Sequence, residues 1–397
     1  MNAMQIQQFR SETPGVEHRT HFNNAGAALM PQPVIDAVKQ HFQLEIEIGG
    51  YEAEAAARVQ IEDFYTQMGR FLNCQAHNIA YAANATDAYT RALSAIAFEK
   101  GDVILTTKND YVSNQIAFLE LQKRFGVQLI RAEDLPEGGV DIDSVRSLIQ
   151  KQGPKLVAVT HVPTNSGLVQ AIAAIGQICK EQDVWYLVDA CQSAGQLPLD
   201  VQEIQCDFLS ATFRKFLRGP RGAGFLFVSD KALKAGLEPL FVDLLSATWI
   251  ASDDYEVRPD ARRFEIWERP HALMLGSKAC VEYALNIGVK QIEQRVKYLA
   301  DLCRQKLNAI PGIENLDKGS ERCGITTYAV TGWHPNAIKT TLAAQAINVS
   351  TLLLNSALID FKEKGADWAL RVSPHYYNTA AEIDTLSEVL SELMPKR

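Results

Sequence analysis

Paired cysteines at redox or metal spacing are missing from this sequence. Its seven cysteines, Cys74, Cys179, Cys191, Cys206, Cys280, Cys303 and Cys323, are odd in number, scattered, and never form a C-x-x-C pair. Such a set does not read as a disulfide framework; small buried thiols in a reducing cytoplasm are the expectation. The eight histidines show no H-E-x-x-H or related spacing, so no metal is expected. Positive charge is in short supply too. A net charge of -8 argues against a generally basic surface for gripping nucleic acid, although a local basic pocket for a small anion remains open. No apolar run approaches the length of a membrane-spanning helix, so no membrane partner is expected. The segment Met1–Glu12 is polar, without the apolar core of a signal peptide. No fixed-period repeat or low-complexity stretch occurs.

What is present is a long, ordinary globular chain. At 397 residues it exceeds one simple core, which argues for two or three domains. Pro31 and Pro33 suit a helix entrance before the stripe Val34, Ile35, Val38 and Phe42. A second helix is expected over residues 52–72. Strands and helices then alternate, with strands predicted at 78–83, 103–106, 127–131, 156–160, 185–188, 208–211 and 225–228. Helices are predicted between them at 86–98, 115–125 and 172–182. This alternation predicts an α/β fold with a largely parallel sheet covered by helices on both faces. The pattern changes after residue 255, where a helical region over 271–307 is followed by shorter elements and a strand at 369–373. Thr379 and Glu382 form a T-x-x-E capping box ahead of an amphipathic helix carrying Ile383, Leu386, Leu390 and Leu393. The expected division is an N-terminal segment 1–20, a large domain 21–255 and a smaller α+β domain 256–397 with which the N-terminal segment packs.

The densest chemical signal lies between Val188 and Gly224. Asp189 ends the apolar strand Tyr186-Leu187-Val188, which puts an acid at the carboxyl edge of a parallel sheet, where ligands bind in open α/β folds. By itself such an acid is equally a helix cap or a turn residue. Lys215 follows another strand and is hemmed in by Phe213, Phe216 and Leu217, with Arg214 beside it. A lone lysine is usually a solvated surface charge. A desolvated lysine next to a second cation has a lowered pKa and acts as a nucleophilic amine. The pair suits pyridoxal 5′-phosphate (PLP), which needs a lysine for its Schiff base and an acid to keep its pyridine nitrogen protonated. The turn Asn84-Ala85-Thr86-Asp87 joins a strand to a helix, so its backbone N–H groups offer an anion site, though Thr86-Asp87 is also an ordinary helix cap.

These motifs resemble the class V aminotransferase family of fold-type I PLP enzymes. Asp189 and Gln192, then Thr212-Phe213-Arg214-Lys215, then Gly219-Pro220-Arg221-Gly222-Ala223-Gly224 reproduce the family's order and spacing, and the likeness runs over nearly the whole chain. The resemblance implies a mostly parallel seven-stranded sheet flanked by helices, with a smaller α+β domain, and a homodimer with shared active sites. It implies that Lys215 carries the cofactor and moves protons, that Asp189 pairs with the pyridinium, and that Gln192 bonds the ring oxygen. Ala85, Thr86, Asp87, Thr212 and Arg214 fall at the family's phosphate-binding positions; arginine at 214 departs from the usual histidine. Tyr111 takes a position where a histidine stacks on the ring, a role a tyrosine also fills. Arg371, in R-V-S-P-H-Y-Y-N-T, matches the arginine that clamps the substrate carboxylate. Asn24, with Asn23, lies near the same carboxylate, and either Thr164 or Asn165 reaches the ring or the substrate. In Arg262-Arg263-Phe264-Glu265 the usual following Gly-Thr, a cross-subunit phosphate contact, is replaced by Ile266-Trp267; Arg269 is a candidate substitute.

The resemblance leaves the reaction open. The segments around Ser373 and Arg263 look closest to a branch of C–S lyases, which ranks a β-eliminating lyase on a cysteine-type substrate first. An aminotransferase comes second, and an amino-acid epimerase remains an alternative. Cysteine desulfurase is disfavoured, because its loop cysteine shortly before the carboxylate arginine has no counterpart after Cys323. Two readings outside this class are a nucleotide-binding loop at 219–224, which lacks P-loop and G-x-G-x-x-G spacing, and a non-catalytic binding module, which retained Lys215, Asp189 and Arg371 argue against.

Overall fold

The computed structural model describes residues 1–394. Seven strands form one sheet in the order Ile79–Ala82, Gly224–Val228, Phe208–Thr212, Trp185–Asp189, Leu156–Thr160, Val103–Thr106, Gln128–Arg131. Gly224–Val228 runs antiparallel to both neighbours and the remaining pairs are parallel. The expected α/β architecture is therefore present. Apart from the edge strand Gln128–Arg131 and the partly exposed Trp185, its apolar runs are buried because alternate side chains serve opposite faces. Val157, Val159, Tyr186, Val188 and Leu209 enter one core, while Leu156, Ala158, Leu187, Phe208 and Leu226 enter the other.

The carboxyl edge of this sheet gathers the residues singled out above. Thr160 lies beside Asp189, Asp189 beside Ser210, and Thr212 beside Gly224, which in turn faces Ala82. The helix Ala85–Ser94 starts immediately after, with Asn84 as its N-cap.

A second sheet is antiparallel, ordered Ile313–Asn315, Thr326–Val330, Trp368–Val372, Ser350–Leu353. It packs against the helices Val289–Asn308 and Ala380–Leu393 through Leu299, Leu307, Tyr328, Leu370, Ile383 and Leu386. The Thr379–Glu382 capping box opens the last helix as its sequence predicts. Thr20–His21 pairs in parallel with Ile347–Asn348, and Asn23 bridges Ser373. The N-terminal segment thus runs from the smaller sheet toward the large one.

Two features differ from the sequence expectation. The helical region at 271–307 is two helices, His271–Ile287 and Val289–Asn308, separated at Gly288, whose φ of 90° suits glycine. The first of them packs on Gln32–Ile48 and Gly50–Leu72, so the large unit continues past residue 255. An unforeseen hairpin, Ala247–Ala251 with Asp254–Val257, stands largely exposed. Among the described residues no helix is long and apolar enough to cross a membrane.

Candidate active site

A cavity of about 340 Å³ opens at the carboxyl edge of the large sheet. It is lined by Asn84, Ala85 and Thr86 of the helix start, by Tyr111, Thr164 and Gln192, and by Asp189, Cys191, Thr212, Arg214, Lys215 and Arg221.

Lys215 is placed by a tight turn after the strand Phe208–Thr212. Gly219 N–H donates to Phe213 O and Arg218 N–H to Lys215 O, each at 2.8 Å. The turn packs backbone against backbone on Gly195, where φ is 94° and a Cβ would lie 2.4 Å from Leu217 N. Arg218, in the left-handed region at φ 62°, is fully buried. It donates to Leu29 O, Tyr376 Oη and Thr13 Oγ1, and its guanidinium lies 4.5 Å from the Tyr377 ring centre. This arginine, missed in the sequence reading, ties the lysine turn to both the N-terminal segment and the strand end beyond Arg371.

The Lys215 amine is almost fully enclosed and makes no ion pair or hydrogen bond among the described residues; it lies 6.0 Å from the Tyr111 ring centre. Burial pushes its pKa below the ordinary lysine value. Cys191 and Asp189 oppose that shift, while Arg214 and Arg371 reinforce it.

Asp189 is buried and held from both sides. Its Oδ1 accepts from Cys191 N–H at 2.9 Å and its Oδ2 from Asn114 Nδ2 at 3.0 Å. Asn114 comes one helical turn after the capping position Tyr111, and its Nδ2 also donates to Asp110 at 3.1 Å. No cation of the described residues forms an ion pair with Asp189. Gln192 donates from Nε2 to Ala25 O and to Thr164 Oγ1, both at 3.1 Å, while its Oε1 is buried without a partner. An unsatisfied buried acceptor in a cavity wall marks hydrogen-bonding capacity left for a ligand.

Arg371 is buried beside this wall. Its Nη1 donates to Thr164 Oγ1 at 2.6 Å and its Nη2 to Asn23 Oδ1 at 3.3 Å, and its Nε has no partner. Burial, and secondarily Arg214, push its pKa down to about 10, so the guanidinium stays charged at neutral pH. With no acid among the described residues answering that charge, the site is built for an anion.

The structure discriminates among the residues the sequence singled out. Thr164 faces the cavity and Arg371, whereas Asn165 is turned away and donates to Asp360 at 2.7 Å. Asn23, not Asn24, meets Arg371. The Asn24 side chain is consumed by His21 O, Ser373 O and Tyr377 Oη. Ala85 and Thr86 line the cavity but Asp87 does not: its N–H goes to Asn84 and its carboxylate to Ala83 N–H and Arg91. Arg214 lines the cavity and also donates to Gly26 O. Arg269 is absent from the lining; it pairs with the buried Glu265 at 3.0 Å, which also accepts from Tyr65 Oη and Tyr81 N–H. Thr160, Cys191 and Arg221 line the cavity without having been named for it.

Comparison with known proteins agrees with this geometry. The family model described as aminotransferase class-V matches residues 20–386. A probable cysteine desulfurase of Pyrococcus abyssi is 27% identical over 394 residues, covering 97% of this chain and 96% of that protein. One from Methanothermobacter thermautotrophicus is 26% identical over 398 residues, with 98% of each chain covered. Among solved structures, the cysteine desulfurase of Thermococcus onnurineus NA1 superposes with a TM-score of 0.89 at 25% identity, covering 98% of this chain and 97% of that one. The cystine C–S lyase C-DES, solved with its product cysteine persulfide, superposes with a TM-score of 0.84 at 22% identity, covering 96% and 100%.

Proposed function

The chain belongs to the aminotransferase class-V family and uses PLP, and we propose that it is a C–S lyase that expels the β-substituent of a cysteine-type amino acid. The residues present fit the cofactor. Gly224 backs directly onto the anion end of the cavity, where a Cβ would lie 2.6 Å from Asn84 C and 2.9 Å from Ala85 N. Asp189 offers a buried carboxylate with no cation of its own, which suits a pyridinium. The unpartnered Oε1 of Gln192 leaves polar capacity in the wall between them.

In this reading Lys215 holds the cofactor through its amine, and Asp189, steadied by Asn114, keeps the ring nitrogen protonated. Ala85 and Thr86 present N–H groups, and Thr212 a hydroxyl, to the phosphate. Tyr111 would cover a face of the ring, and Gln192 with Thr164 would border it. When bound, PLP supplies an electron sink that acidifies the substrate's α-carbon. Arg371 grips the α-carboxylate and orients that carbon toward Lys215, with Thr164 and Asn23 fixing the guanidinium. Nζ of Lys215 would take up the α-proton, a task favoured by the burial that lowers its pKa.

The observation that carries the lyase reading concerns thiols. Cys191 is the only cysteine in the lining, and burial pushes its pKa well up, which keeps it protonated and a poor sulfur acceptor. No cysteine follows Cys323, so the desulfurase activity in the relatives' names lacks a mobile nucleophile here. Elimination needs none. The test is to mix the purified enzyme with S-substituted cysteines and assay pyruvate and ammonia while following the visible spectrum. Equal release of both supports the lyase. Bleaching to the amine form of the cofactor, reversed by a keto acid, would make the enzyme an aminotransferase.

A homodimer is part of the proposal. Phe241, Leu240, Leu244 and Trp249 project from one region, and Ile46 and Tyr51 from another, all strongly exposed. Apolar patches of this kind call for cover. Trp267, whose backbone N–H donates to Asp243 of the first region at 2.7 Å, lines a surface cavity together with Tyr51 of the second, so the two regions adjoin. Sedimentation at a monomer's mass would refute the dimer. A reducing cytoplasmic setting is supported by seven unpaired cysteines.

A further inference from the structure

We propose that Arg221 anchors the cofactor phosphate, so that the chain supplies from its own glycine turn a second cation, beside Arg214, for the anion end of the cavity. This rests on PLP as cofactor and not on which bond the enzyme breaks.

The case begins with charge. A phosphate monoester carries about 1.5 to 2 negative charges at neutral pH. The helix Ala85–Ser94 meets it with dipoles alone: the Asn84 side chain caps the Asp87 N–H at 2.9 Å, leaving those of Ala85 and Thr86 without an intrahelical acceptor. The nearby charges of the helix cancel, since Asp87 pairs with Arg91 at 2.8 Å. Thr212 adds a hydroxyl that already donates to Ala223 O at 3.1 Å. Balance therefore requires cations from elsewhere in the wall.

Four basic side chains are available around the cavity, and three have other duties. Lys215 is committed to the cofactor's aldehyde. Arg371 lies by Thr164 and Asn23, where a substrate carboxylate belongs. Arg214 is partly drawn to Gly26 O of the N-terminal segment. Arg221, like Lys215, has neither an ion pair nor a hydrogen bond among the described residues, and it lines the same cavity with no other duty.

Its position matches the phosphate end. Arg221 precedes Gly222, whose carbonyl accepts from Tyr81 Oη at 3.3 Å, and Ala223, whose carbonyl accepts from Phe213 N–H at 3.2 Å. Gly224 then lies against Asn84 and Ala85. The turn bearing Arg221 is thus built onto the strand that leads into the helix N-terminus. Burial and, after it, the charge of Arg221 lower the pKa of Arg214, a pairing that is unfavourable until an anion comes between them. With Arg214 and Arg221 facing a dianion and Arg371 facing the α-carboxylate, the positive charge of the wall is used up, so a neutral substrate side chain fits best.

The test compares PLP with pyridoxal, which lacks the phosphate, by titrating each into the full-length protein freed of cofactor and following the visible band. Arg221→Ala should weaken PLP about tenfold, in keeping with loss of a charged hydrogen bond, and leave pyridoxal unchanged. Arg221→Lys should recover part of the loss. Because Arg221 is exposed and makes no hydrogen bond or ion pair among the described residues, the variants should melt with the wild type. Unchanged PLP affinity in Arg221→Ala would overturn the assignment. So would equal losses for PLP and pyridoxal, or an effect confined to binding of substrates with acidic side chains. None of these readouts depends on turnover, so a failure of the lyase reading would leave the result interpretable.

Discussion

Arg371 holds its guanidinium 2.6 Å from Oγ1 of Thr164 while no carboxylate among the described residues answers its charge. The pair forms a preset anion clamp. Arg371→Ala should raise KM for the amino acid roughly a hundredfold, since charged hydrogen bonds contribute about 1.5–3 kcal/mol. Arg371→Lys should recover little, because an ammonium lacks the planar fork. Thr164→Val should raise KM more modestly. Steady-state kinetics check all three, and an unchanged KM in Arg371→Ala would place the carboxylate elsewhere.

Lys215 and its neighbours give a pH prediction with opposed signs. Burial puts its pKa below the ordinary value, so capture of PLP by the cofactor-free protein should rise with pH through a midpoint below about 10.4. Removing a like charge lets the amine hold its proton longer, so Arg214→Gln should move the midpoint up. Removing an opposite charge does the reverse, so Asp189→Asn should move it down. Stopped-flow absorbance across pH reads both, and shifts of the same direction in the two variants would contradict the arrangement.

Asn114 acts through Asp189, donating to its Oδ2 at 3.0 Å. Asp189→Asn should retain bound cofactor yet lose turnover by a hundredfold or more, about 2.7 kcal/mol of barrier. Asn114→Ala should lose roughly tenfold and shift the position or pH dependence of the visible band, a change that a general loss of packing would not produce. Melting curves and spectra separate the two explanations.

Gly224 tests the anion end of the cavity. A methyl group there meets backbone atoms of Asn84 and Ala85, not a flexible side chain. Gly224→Ala should therefore displace the helix N-terminus, at an overpacking cost of about 1–3 kcal/mol. PLP affinity should fall more than pyridoxal affinity, as equilibrium titration would show.

The sequence made the backbone plan legible because strands buried on both faces are continuous apolar runs, and because Asp189, Gln192 and Lys215 carry their spacing within one short stretch. Choices between adjacent residues were not legible. Thr164 faces Arg371 and Asn165 faces Asp360, an outcome set by packing against a segment 195 positions away. Asn23 reaches the clamp while Asn24 does not, because the bridge between Asn23 and Ser373 fixes which side chain turns inward. Arginines were the hardest to place. Within R-K-F-L-R-G-P-R, Arg218 is buried among tyrosines and Arg221 is exposed, a contrast that spacing does not encode. The domain boundary after residue 255 was drawn where the strand pattern ends, but the helix His271–Ile287 folds back on the first unit through contacts distant in sequence.

The most direct test of the central claim is the ratio of pyruvate to alanine formed from one cysteine-type substrate, measured in the wild type and in Cys191→Ala. Elimination yields pyruvate, ammonia and the freed sulfur group, with no alanine, and Cys191→Ala should keep that product pattern. Alanine as the main product, lost when Cys191 is removed, would mean that sulfur is passed to a protein thiol and would contradict the lyase account.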